Sequence, residues 1–159
     1  MAILKWLDAN FEEFLMVTLL ALMTIIMGIQ VCARYVFNYS LSWSEEVTRY
    51  LFIWSAFMSV SYCTKKCISI KIEQVAELMS KRGKAFIKLI NHTIEIIFFI
   101  YMIPYAMAYL QSSIQSGQLS PAVKIPMYFV QAAPLFSFTL AAFRIVQRWV
   151  IEFNIVRKG

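Results

Sequence analysis

Apolar runs broken by charged connections set the plan of this chain. From Phe14 to Ala33 no charged residue occurs. A helix of that length, rising about 1.5 Å per residue, crosses a hydrocarbon core of about 30 Å. A second run opens at Ser42, a helix N-cap with Glu45 three residues on, and continues through Trp54 to about Thr64. A third extends from about Ala85 to Leu110, with Pro104 inside it. A fourth starts at Pro126, which suits a first helical turn, and passes Pro134. The pattern therefore predicts spans at about 14–33, 43–64, 85–110 and 126–147. Between the second and third, Ile68, Ile72, Val75 and Met79 share one helical face, with Lys71, Glu73, Gln74 and Glu77 around the rest. That spacing predicts an interfacial amphipathic helix over about 68–82. Residues 111–125 are polar and punctuated by Gly117 and Pro121, the pattern of an ordered loop or short re-entrant turn.

Composition agrees with the pattern. The chain has 159 residues, 60% hydrophobic and 15% charged, with mean hydropathy +0.65. A soluble domain carries more charge and less apolar surface. The expected fold is an all-α integral membrane protein, a single membrane domain over 1–159. Residues 1–13 mix apolar and charged positions, a lead-in at the interface with Trp6 at headgroup depth. Asp8, Glu12 and Glu13 there, with no small-residue cleavage site, argue against a cleavable signal peptide.

The net charge of +6 does not indicate nucleic acid, because the basic residues flank the apolar runs. With four spans the basic residues fall unevenly. Lys5, the seven from Lys65 to Lys88 and the four from Arg144 to Lys158 lie on one side. Arg34, Arg49 and Lys124 lie on the other. The positive-inside rule then predicts both termini in the cytoplasm, with the 34–42 connection and the 111–125 loop facing outward. Cys32, Cys63 and Cys67 read as small packing residues, and the single His92 supplies no metal site. No phosphate loop or nucleophile motif is present, so neither catalysis nor a cofactor is expected.

The candidate functional residues concentrate at RYVFNYSLSWSEEVTRYLFIW, residues 34–54. Arg34, Glu45, Glu46 and Arg49, flanked by Trp43 and Trp54, stand at a membrane edge, where charge is costly unless paired. Arg49 is four residues after Glu45 and three after Glu46, the helical spacing for an ion pair. An ion-pair cluster that holds the helix ends and docks a partner is expected. His92 and Glu95, three apart on one helix face, form a second polar pair within a span. Ser120, Pro121, Lys124 and Pro126 are the exposed candidates of the outward loop.

These residues resemble the small membrane subunit (Q-type) of tripartite ATP-independent periplasmic (TRAP) transporters. Residues 34–54 carry the resemblance, supported by the basic amphipathic connection and by LSPAVKIPMYFVQAAPL at 119–135. It implies a bacterial inner-membrane subunit of a sodium-driven importer of organic acids, dicarboxylates or sialic acids. A periplasmic substrate-binding protein would deliver the cargo. A large permease subunit would hold the transport site and move as an elevator, with this chain a fixed scaffold in the lipid bilayer beside it. Two other classes stay open on the residues alone: a membrane anchor of a redox complex, and a stand-alone small exporter.

Overall fold

A computed structural model describes residues 2–66 and 81–158. Four helices account for almost all of them: α1 (Ala2–Val36), α2 (Ser42–Lys66), α3 (Lys81–Ser116) and α4 (Tyr128–Lys158). The described residues are all-helical apart from the connections, as the pattern predicts. Among them, three segments are long and apolar enough to cross a membrane: Asn10–Val36, Phe86–Ser116 and Tyr128–Ile151. α2 has the length, at 25 residues, but Glu45, Glu46, Arg49, Lys65 and Lys66 dilute its hydropathy. Most of the expected interfacial helix at 68–82 lies outside the described residues; its last two positions, Lys81 and Arg82, open α3.

The helices outlast the spans read from the sequence. The lead-in at the N-terminus is continuous with the first span in α1. α1 stops where Asn38 takes a left-handed φ of 52°, a conformation asparagine tolerates, and the Phe37 and Tyr39 amides both bond the Ala33 carbonyl. α3 runs six residues beyond Leu110, to Ser116. The polar QSSIQS segment contains no breaker, and the Ser116 hydroxyl bonds the Ser113 carbonyl at 2.8 Å. Gly117, with φ 59°, ends the helix. α4 starts two residues after Pro126, whose carbonyl accepts the Phe129 amide at 3.2 Å. Ser42 makes no capping-box bond among the described residues. Instead Ser44 donates to the Leu41 carbonyl at 2.7 Å.

The distribution of side chains is that of a protein in lipid. Large apolar residues such as Val17, Leu20, Ile25, Ile97, Ile100 and Phe143 point outward. Small ones are enclosed: Ser44, Ser61, Ser137, Ala133 and Ala141 are fully buried. In a bilayer, outward apolar groups cost nothing, and close helix packing through small residues supplies the attraction. Hydroxyls on these helices are satisfied locally. Thr18, Thr24, Thr93 and Thr139 each bond the carbonyl four residues back, at 2.8–2.9 Å.

The chain forms two compact parts. The first comprises the residues up to Ser59 together with Tyr109–Pro134; Met58, Val130 and Ala133 are buried in it. The second comprises Val60–Ala108 and the chain from Leu135. Its core is Phe99, Ala141 and Ile145, with Val60, Ile96, Phe138 and Ala142 packed around them. The Phe99 and Phe138 rings lie 5.7 Å apart. The Arg148 guanidinium donates to the Lys65 carbonyl at 2.7 Å, closing the end of α2. The Trp149 indole donates to the Thr93 hydroxyl at 3.1 Å.

Overfilling this second core should weaken the fold. Ala141→Leu inserts three carbons where no space exists, and overpacking costs about 1–3 kcal/mol. A fall in Tm of a few degrees is expected for the purified protein in detergent. Phe143→Leu, at a position 60% exposed, should leave Tm unchanged.

Candidate functional site

The residues from α1, α2 and the 117–127 loop meet in the first part of the chain. α2 begins with Trp43, Glu45 and Glu46 in or near its first turn. Unpaired backbone N–H groups and the helix dipole favour acidic side chains there. Helical periodicity directs the two glutamates differently. Glu45 accepts the Gln30 side-chain amide of α1 at 2.9 Å. Gln30 is buried and Glu45 exposed, so this bond ties α1 to α2 at the margin of their packed surface.

Glu46 meets the loop. Its Oε2 accepts the backbone N–H of Ala122 at 2.7 Å and of Val123 at 3.0 Å. Its Oε1 accepts the Tyr50 hydroxyl, one turn further along α2. Two successive amides aimed at one carboxylate oxygen form a small anion nest. Bonds to an ionised acceptor are about twice as strong as neutral ones.

The loop is shaped to present those amides. Leu119 and Pro126 bridge antiparallel. The Met127 amide bonds the Gln118 carbonyl at 2.9 Å, and the Ser120 amide bonds the Ile125 carbonyl at 2.8 Å. The buried Ser120 hydroxyl accepts the Ile125 amide at 3.1 Å. Lys124 turns the tip with φ 61°, leaving its side chain and Pro121 exposed. The segment expected to be an ordered loop or short re-entrant turn is thus, over 118–127, a ten-residue hairpin-like turn latched to Glu46.

The expected ion pairs do not form among the described residues. Neither Arg34 nor Arg49 lies within ion-pairing distance of a carboxylate, and both are exposed. The physical reason is competition. Gln30, Tyr50 and the loop amides are already positioned by the fold, whereas a flexible arginine at a wet edge gains little by pairing. Trp43 is exposed and Trp54 half-buried.

In the second part, His92 and Glu95 come together as the spacing suggests. Nδ1 lies 3.2 Å from Oε2, and Asn91 donates to Oε1 at 2.9 Å. His92 is buried, so the pair satisfies polar atoms on a span.

Three contributors escaped the sequence reading. Gln30 is the one amide in the first apolar run, and a lone amide in a span seeks a partner. Tyr50 sits at i+4 from Glu46, within reach on the same face. The Ala122 and Val123 amides left no mark in the sequence, since any residue carries an N–H.

Removing the latch acceptor should open the loop. Trypsin cleavage after Lys124 should accelerate about tenfold or more in Glu46→Ala, because each lost charge-assisted bond is worth about 1.5–3 kcal/mol. Glu46→Gln, which retains one acceptor oxygen, should fall between.

Comparison with known proteins places this geometry. Residues 23–154 match the model of the DctQ component of tripartite ATP-independent periplasmic transporters. An isethionate TRAP transporter permease protein, DctMQ, of Oleidesulfovibrio alaskensis is 29% identical over 152 residues. The match covers 91% of this chain but 24% of that longer relative, so the chain spans about a quarter of its length. A TRAP transporter small permease protein of Haemophilus influenzae is 24% identical over 147 residues, covering 92% of this chain and 90% of the relative. The family is one of multi-pass membrane transporter components, not of enzymes. With the match running from within the first span, at residue 23, into α4, at residue 154, the chain belongs to the DctQ family, the small permease component of TRAP transporters.

Proposed function

We propose that this chain is the stationary scaffold of an organic-anion importer, and that its outward edge docks the large permease subunit. The observation that carries this reading is the division of labour at the 34–54 edge. Glu45 and Glu46 are consumed inside the chain, by Gln30 and by the loop. Arg34 and Arg49 are left exposed, with no carboxylate in ion-pairing reach among the described residues. Exposed arginines at a membrane edge suit carboxylates on a neighbouring subunit, where a bidentate pair gains from partial desolvation. The longer relative supports the same reading: most of that polypeptide lies outside the match, as expected if a large partner shares one chain with this module.

Further elements of the proposal rest on the charge count and on the family. α2 crosses the membrane as a fourth span once its charged ends sit in the headgroup layers. Both termini then lie in the cytoplasm of a bacterium whose inner membrane holds the complex. The latched loop faces the periplasm, where the exposed Pro121 and Lys124, with the half-buried Pro126, form a firm surface for the substrate-binding protein; Ser120, expected there, is buried and shapes the loop from within. The cargo is an organic anion taken up with sodium. Dicarboxylates and sialic acids fit, and so does a sulfonate such as the isethionate that names one relative. The transport site belongs to the large subunit. The redox-anchor and lone-exporter readings give way to the family match.

Two experiments test these claims. Arg34→Ala and Arg49→Ala together should cut co-purification of this chain with a tagged large subunit, and should lower uptake in the same proportion. Undiminished co-purification would remove the docking role. For topology, a cysteine at position 124 in a cysteine-free chain should react with an impermeant maleimide added outside spheroplasts. Cysteines at positions 5 and 158 should react only after lysis.

A further inference from the structure

Two tyrosines stand where a span facing lipid should show only hydrocarbon. Tyr101 and Tyr105, one turn apart on α3, are 61% and 57% exposed. Their ring centroids lie 5.0 Å apart and their hydroxyls 3.1 Å apart. The apolar segment of this helix is Phe86–Ser116, with Tyr101 at its midpoint. About 22 Å of helix therefore extends on either side of Tyr101, against a hydrocarbon core of about 30 Å. However the segment is set along the membrane normal, Tyr101 lies within the core. Side chains on a helix lean toward its N-terminus, which carries the Tyr105 ring back toward Tyr101. Tyrosines of the interfacial belt sit at headgroup depth; this pair does not.

The pair leaves polar groups unmet. Whichever hydroxyl donates to the other, one O–H proton of the two finds no acceptor among the described residues. Pro104, between them, has no N–H, so the Ile100 carbonyl four residues back loses its regular helical donor. A donor and an acceptor thus share one stretch of outward surface. Lipid tails supply a partner for neither, and leaving them bare in hydrocarbon is costly. The surface is also concave. Ile100, Tyr101, Pro104, Tyr105 and Ala108, all in the second part of the chain, line a groove of about 480 Å³. The small Ala108 lets a passing backbone come close.

A neighbouring transmembrane helix with one Ser, Thr, Asn or Gln facing the groove would meet both groups, since each of those side chains donates and accepts. A second copy of this chain fits less well. Its outward hydroxyls on α1 and α4, Thr18, Thr24 and Thr139, already donate to carbonyls of their own helices, so they have no proton left for the Ile100 carbonyl. A larger membrane neighbour is the partner already proposed, and most of the longer relative's length lies beyond this module.

We propose that the groove at Tyr101, Pro104 and Tyr105 seats a transmembrane helix of the large permease subunit, with a Ser, Thr, Asn or Gln of that helix bonded to the tyrosine pair and to the Ile100 carbonyl. The inference rests on the docking role proposed above. It adds a second face, inside the membrane and on residues other than Arg34 and Arg49.

The chain is co-expressed with a tagged large subunit and carries photoreactive p-benzoylphenylalanine in place of Ile100, on the rim of the groove, so both hydroxyls stay in place. Irradiated membranes should yield a covalent product of the two subunits. A product with a second copy of this chain, or with no protein at all, while the two subunits still co-purify, would overturn the groove as the seat and leave the docking role standing. Failure of the unsubstituted chain to co-purify with the large subunit would remove both. Tyr101→Phe combined with Tyr105→Phe keeps the rings and removes the hydroxyls. It should lower co-purification about threefold or more, the contribution of one or two interhelical hydrogen bonds, and leave the Tm of the isolated chain unchanged. Co-purification at the unsubstituted level, or a Tm that falls in step with it, would overturn the proposal.

Discussion

A carboxylate at a membrane edge must be met by donors or neutralised, and the Glu46 carboxylate decides how the 34–54 edge of this protein is built. It is met by two backbone amides of a loop that begins more than seventy residues later, and by Tyr50 on its own helix. Because the acceptor is charged and the donors are fixed by the loop's own bonds, the contact is worth more than a surface ion pair would be. The loop in turn is held in a single shape by Ser120, by the Leu119–Pro126 bridge and by the left-handed turn at Lys124. One side chain thus orders a whole connection.

Glu45, one position earlier, is met by Gln30 across the helix pair. Together the two glutamates account for the acidic side of the cluster, and the arginines are left over. In a family whose members are components of a larger assembly, such a positive edge is the surface we propose for a partner.

Much of this was legible in the sequence and some was not, for identifiable reasons. Apolar runs found all four helices because a bilayer demands long uninterrupted stretches. Their ends were missed by several residues, since nothing in QSSIQS prevents the helix from continuing until Gly117 allows a left-handed turn. The importance of Glu46 was legible as an expensive charge. Its partner was not: helical spacing nominated Arg49, but spacing cannot see a backbone amide brought from residue 122. His92 and Glu95 met as predicted because both lie on one helix, where local spacing suffices. Gln30 could have been found by asking what a lone amide in an apolar run is for. The lower hydropathy of α2 also follows from its cluster, because Glu45, Glu46 and Arg49 displace apolar residues that would mark a span.

The central claim is that the loop is latched within the chain while the arginine edge waits for a partner. Amide hydrogen exchange, read by mass spectrometry on the isolated chain and on the complex with its large subunit, separates the two most directly. The account predicts that peptides covering 118–127 are equally protected in both, and that protection around Arg34 and Arg49 rises only in the complex. A loop that exchanges freely in the isolated chain and becomes protected only on assembly, with the arginine edge unchanged, would contradict it.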